Sequence, residues 1–101
     1  MSAASDYLEN KVLDHVLGNS AFTQPGTLYV GLWTADDGLE AGTQTNEVSG
    51  GSYARATMAF DAAATGSSAN TSTVTFTTAT GNWGTITHVA VMDAATSGNV
   101  L

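Results

Sequence analysis

Residues 27–34, TLYVGLWT, set apolar side chains on both sides of an alternating pattern: Leu28, Val30 and Leu32 share one face, Tyr29, Gly31 and Trp33 the other. A strand that is apolar on both faces is one covered on both, which places it in the middle of a sheet. Gly31, with no side chain, leaves room for a neighbour on the second face.

Three more segments alternate. In 53–60 (YARATMAF) the apolar face is Ala54, Ala56, Met58 and Phe60, and Arg55 lies opposite beside Tyr53 and Thr57. In 73–78 (TVTFTT) Val74 and Phe76 point inward and threonines outward, and 85–93 (TITHVAVMD) puts Ile86, His88, Ala90 and Met92 against Thr87, Val89 and Val91. Turns separate these segments: a long acidic loop over 35–52 with four glycines, a small-residue loop over 61–72, a turn around Trp83 over 79–84, and another over 94–99 before Val100-Leu101 opens a further strand. One helix precedes them, over residues 6–17. Leu8, Val12 and Val16 recur every fourth residue, and Leu13 and Leu17 widen the stripe. Asp6 is the expected N-cap with Glu9 in a capping box, and Gly18 and Asn19 supply the left-handed stop. The amphipathic helix needs a partner surface, most simply the domain's own sheet, otherwise another subunit. The predicted fold class is mainly β: a single domain over 1–101, a small antiparallel β-sandwich or open barrel with one N-terminal amphipathic helix.

Charge then restricts the partners. Nine acids face only Lys11 and Arg55, a net charge of −7, and nucleic acid and anionic membranes both repel such a surface. The longest uninterrupted apolar run, Val89 to Met92, is far short of a bilayer span of about 20 residues. With no cysteine there is neither a disulfide nor a thiolate metal site, which fits synthesis in a reducing cytoplasm. Neutral Thr, Ser, Ala and Gly make up much of the remainder and suit flat surfaces that pack against copies or partners.

Little in the inventory points to chemistry. His15 falls on the polar helix face and His88 within an apolar strand, and neither is accompanied by a cysteine or an activated-serine motif. Gly50 and Gly51 form neither a P-loop nor a dinucleotide fingerprint and read as a tight turn into the Tyr53 segment. The expectation is no enzyme and no cofactor. Asp36, Asp37 and Glu40 are weak calcium candidates, since hard oxygen ligands in a loop can hold that ion, but their spacing is not that of an EF-hand. Trp33, Tyr29, Tyr53 and Trp83 could line a glycan platform, although core or interface packing explains them more economically. Arg55, almost alone among acids, calls for a carboxylate partner in its own acidic loop or on a neighbouring subunit. Arg55, Tyr53, Trp33, Trp83, Val100 and Leu101 are the interface candidates.

Four stretches, ASDYLENKVLDHVLG (4–18), LYVGLWTAD (28–36), EVSGGSYARATMAF (47–60) and NWGTITHVAVMDAATSGNVL (82–101), resemble in their order a family of small tailed-phage virion proteins, tail-fibre-like or of unassigned role. EVSGGSYAR and the WGT-x-TH segment are the most specific parts. The resemblance implies a virion structural protein made in the host cytoplasm, tail-fibre-like or fibre-associated, whose partners are other virion proteins and copies of itself. The alternatives are a capsid decoration or cement protein and a receptor- or glycan-binding module for the host surface. Members of this family usually continue past the equivalent of Val100-Leu101, so a chain that lacks the C-terminal strands is expected to leave a sheet edge open near 85–93 or 100–101 for pairing across a subunit boundary.

Overall fold

A computed structural model describes residues 4–101; residues 1–3 of the expected domain lie outside it. The order of elements is α1 (Asp6–Val16), β1 (Leu28–Trp33), β2 (Ala56–Met58) and β3 (His88–Met92). The strands form one antiparallel sheet in the order β2-β1-β3, so the doubly apolar strand is central, as its pattern requires. Leu28 pairs with Met58 and Val30 with Ala56 on one side; Tyr29 pairs with Met92 and Trp33 with His88 on the other.

Register divides the sheet into two faces. Tyr29, Gly31 and Trp33 share theirs with Ala90 and Met92, and here lies the core: Trp33 and Met92, 1% and 0% exposed, pack with Leu39 and Val100. Gly31 sits beneath the Trp33 ring, where a Cβ would come within 2.7 Å of a ring carbon and 3.1 Å of a Glu47 carboxylate oxygen. Gly31→Ala is therefore expected to destabilise by about 1–3 kcal/mol through overpacking, measurable as a lower urea midpoint at unchanged m. The other face, with Leu28, Val30, Leu32 and Val91, is only half-buried, so the double cover expected of β1 is formed on one side.

Several expected elements differ. Residues 53–60 and 85–93 form strands only over Ala56–Met58 and His88–Met92, with Phe60 in an isolated bridge to Asn70. Residues 73–78 form no strand: Val74 and Phe76 turn inward as the alternation demands, but no ladder joins them to the sheet, and Phe76 instead lies stacked 6.4 Å from Tyr53. Alternation reports which side chains face inward, whereas a strand also needs a neighbour for its main chain. Among the described residues there is a single sheet, with neither a second layer nor a closed barrel.

The N-cap is Ser5, not Asp6. Its Oγ accepts from the Leu8 N–H at 3.1 Å and donates to the Val100 carbonyl, while its N–H donates to Leu101 O at 2.8 Å. Asp6 N–H reaches Glu40 O at 2.8 Å. Serine wins because its short hydroxyl, buried against the last strand segment, serves helix and sheet together. Gly18 ends the helix at φ +83°, with Asn19 and Ser20 donating to Asp14 O. From this anchor α1 leaves the sheet. None of its residues is buried, and Val12, Leu13, Val16 and Leu17 stand 47–70% exposed. The helix does not cover its own sheet, and the molecule is elongated, 47 × 28 × 24 Å.

Candidate assembly surface

Two residues of the acidic loop and two of the second alternating segment close into one buried network. The 35–52 loop is tied down at Asp36, whose Oδ1 accepts from the Gly38 and Leu39 N–H groups, both at 3.2 Å. Those bonds hold the Asp36 carboxyl below its ordinary value. They also aim Leu39 into the core. Further along, Glu47 bridges to Trp33, and Val48 N–H donates to Leu32 O at 3.0 Å, so this loop extends the sheet beside β1.

Glu47 meets Arg55 there. Nε donates to Oε2 at 2.7 Å and Nη2 to Oε1 at 2.8 Å, a bidentate pair. Nη1 donates to the carbonyls of Ala94 and Ser97, both at 2.8 Å, and Nη2 also to Gln44 Oε1 at 3.1 Å. All five guanidinium donors are thereby used, and the Arg55 side chain is only 2% exposed. Tyr53 adds its hydroxyl, donating to Glu47 Oε2 at 2.7 Å and accepting from Leu32 N–H at 3.0 Å. Burial alone would push Glu47 up; the hydrogen bonds from Arg55 and Tyr53 outweigh it and hold the carboxyl below its usual range. Burial, together with the adjacent carboxylate, pushes Tyr53 up to about 12. The hydrogen bond to Glu47 raises Arg55 further.

A pH dependence follows from Glu47. With its folded pKa below the ordinary 4.5, the unfolded chain binds more protons as pH drops beneath that value. The pair's contribution is complete above about pH 5 and is lost as pH falls from 4.5 through the folded-state value. The melting temperature is expected to decline more steeply with acid in the parent chain than in Glu47→Gln; parallel declines would contradict this.

The interface candidates mostly turn inward. Trp33 and Val100 belong to the core, and the carboxylate partner of Arg55 comes from its own acidic loop. Tyr53 lies edge-on to Trp83 at 5.4 Å, and Trp83 Nε1 donates to Gly51 O at 2.9 Å. Gly51, at φ +56°, sits against that indole, where a Cβ would come within 2.9 Å of Nε1. Trp83 and Tyr53 thus lock the Gly50–Gly51 turn. Leu101, half-buried, donates its N–H to Val91 O at 2.9 Å, and Val100 bridges Met92. The expected open edge is therefore half-shielded: Val100-Leu101 lies along the Val91 end of β3, while Val89 remains 65% exposed.

The calcium candidates are not gathered. Asp36 binds its own loop, and Asp37 accepts from Thr45 at 3.0 Å. Glu40 lies instead with Asp6 and Glu9, an exposed trio with carboxylate oxygens within 4.8 Å of one another. His88 is exposed, with Nδ1 2.8 Å from Thr87 Oγ1, and His15 Nδ1 accepts from Phe22 N–H at 3.0 Å.

Two apolar surfaces stay exposed among the described residues. A groove of ≈ 590 Å³ takes Val30, Met58 and Val91 from the half-covered sheet face and Leu39 and Val100 from the core side, and the helix cap Ser5 also lines it. The helix stripe from Val12 to Leu17 stands apart from it. No motif signalled the groove, since β1 alone reads as a fully covered strand. No helix among the described residues is long and apolar enough to cross a membrane. A search of curated proteins finds no match to the chain. The family model described as Podophage GP4 fiber I protein gp80 matches residues 3–101. That match spans nearly the whole chain, including every residue of the Arg55 network and of the groove, and the chain belongs to this family of tailed-phage, tail-fibre-like structural proteins.

Proposed function

We propose that this chain is a non-catalytic fibre subunit of the virion that works by assembly with other virion proteins and with copies of itself. The observation that carries this reading is the uncovered apolar surface. Three aliphatic side chains on α1 and Leu17 at its C-cap stand 47–70% exposed, and among the described residues one face of the sheet is only half-buried. Exposed apolar surface of this kind marks interaction sites. The second layer of a sandwich is, in this reading, supplied by a neighbouring subunit. The outward edge of β3 near Val89 is a place for strand addition, limited to the part that Val100-Leu101 leaves uncovered. The single arginine is fully engaged within its own chain.

A whole-particle reconstruction tests the proposal. The expected result is density for this chain in a fibre, at the low copy number of an appendage. Hundreds of copies seated over the joints of the shell would assign it to capsid decoration instead, and a glycan-array signal from a monomeric chain would favour a receptor module.

A further inference from the structure

The outer edge of β2 and the TVTFTT segment are tied together at both ends, yet not between. Main-chain groups along a strand alternate in direction. Leu32 turns its N–H to the Tyr53 hydroxyl and its C=O to Val48, so Val30 and Leu28, in step with it, turn theirs to Ala56 and Met58. Thr57, between those two, therefore points its N–H and C=O away from β1. Ala59 points the same way, and its C=O accepts from Thr71 N–H at 2.9 Å.

Beyond Ala59 the chain makes a hairpin. Phe60 bridges Asn70, Asp61 N–H donates to Ala69 O at 2.8 Å, and the chain reverses over Ala64–Ser67 with Thr65 and Gly66 at φ +52° and +75°. Two central residues of positive φ make the turn that matches the twist of paired strands. At the other end Thr80 N–H donates to Gly51 O at 2.9 Å, and the Thr80 and Ser52 hydroxyls meet at 2.8 Å. Between these ties no main-chain hydrogen bond joins residues 72–79 to 52–58 among the described residues. A cleft of ≈ 600 Å³ lies there, and its lining takes Thr57, Met58 and Ala59 from one segment and Ser72, Thr73 and Val74 from the other.

We infer that residues 72–78 are a strap that closes on β2 as a fourth strand of the sheet, with Phe76 as its latch. The Phe60–Asn70 bridge fixes the register: continued residue by residue, it sets Thr57 opposite Thr73, Ala56 opposite Val74 and Ala54 opposite Phe76. Direction agrees, since the outward groups of Thr57 are those that an antiparallel Thr73 meets. Side chains agree as well. Val74 and Phe76 then join Ala56 and Met58 on the half-covered face, whereas a slip of one residue would put threonines there. What holds the strap off is the Phe76 ring, stacked on Tyr53 at an interplanar angle of 18°. Tyr53 alternates to the opposite face, so Phe76 exchanges that stack for the Ala54–Ala56 surface on closing. Closure takes the β2 edge out of reach of strand addition. It is a property of the single chain and stands or falls apart from the fibre reading.

The chain contains no cysteine, so an introduced pair reports closure directly. In the closed register residues 56 and 74 are a non-hydrogen-bonded pair with Cα atoms about 4.5 Å apart, a span that a disulfide bridges. Ala56→Cys/Val74→Cys is expected to form an intramolecular disulfide several-fold faster than Ala56→Cys/Thr75→Cys, whose second cysteine lies on the opposite face. Once linked, its Thr57 and Thr73 amides are expected to exchange hydrogen several-fold more slowly than in the reduced chain. Phe76→Leu alone, which keeps an apolar side chain and removes the stack, is expected to slow the same two amides relative to the parent. Equal rates for the 56–74 and 56–75 pairs would overturn the inference. So would a 56–74 link formed between chains, which gives the edge to a second copy, or amide exchange left unchanged by the link or by Phe76→Leu.

Discussion

Arg55→Ala is expected to cost about 3–5 kcal/mol of folding stability, because it leaves Glu47 as an uncompensated, largely buried carboxylate. It also strips the Ala94 and Ser97 carbonyls of their donor and releases the turn before Val100. Small domains hold only about 5–15 kcal/mol in total, so the variant sits close to unfolding at ambient temperature. Urea denaturation followed by circular dichroism measures it, and a loss under about 1 kcal/mol would mean that the network does not support the fold. The double variant Arg55→Met/Glu47→Leu separates the causes. Removing both charges is expected to recover the part due to the stranded carboxylate, while the part due to the two carbonyls and Gln44 persists. A loss in the double variant smaller than the sum of the losses in Arg55→Met and Glu47→Leu is the signature of the pair.

Trp33→Ala is expected to be of similar size, about 3–5 kcal/mol, by a different route. The indole is the largest fully buried side chain; it roofs Gly31 and packs with Met92, Leu39 and Val100. Alanine leaves a cavity that the rigid sheet beneath it cannot collapse to fill. Trp33→Phe is expected to be far milder. The buried Nε1–H has no hydrogen-bond partner among the described residues, so phenylalanine keeps much of the apolar volume and removes a polar group that burial penalises. Equal losses for the two variants, at matched m values, would show that packing volume is not what Trp33 contributes.

Together these variants mark the part of the molecule that alternation made legible. TLYVGLWT announced a central strand, and it is central; the room predicted at Gly31 is filled by the Trp33 ring. The demand of Arg55 for a carboxylate was readable from the scarcity of cations, but the choice between its own loop and a neighbour was not. Glu47 is eight residues away, and only the folding of the acidic loop back beside β1 brings it to 2.7 Å. The TVTFTT segment went the other way: its pattern sorts side chains correctly, yet no strand pairs with it, because pairing depends on a partner's main chain and not on its own periodicity. The N-cap moved by one residue for a related reason, since a hydroxyl at Ser5 can bond to Val100, 95 residues distant, and the local capping signal contains no information about that contact.

From the sequence alone come the quantities that are sums or periods: the acidic charge, the central strand and the amphipathic helix. Tertiary structure decided where those periods find partners. Hydrophobic burial is non-directional and asks only that apolar faces be covered, so periodicity can show that the α1 stripe and the second sheet face need cover without showing what supplies it. The anchoring of Ser5 and Asp6 beside Val100 and Leu101 turns the helix away from its own sheet and leaves both surfaces exposed among the described residues.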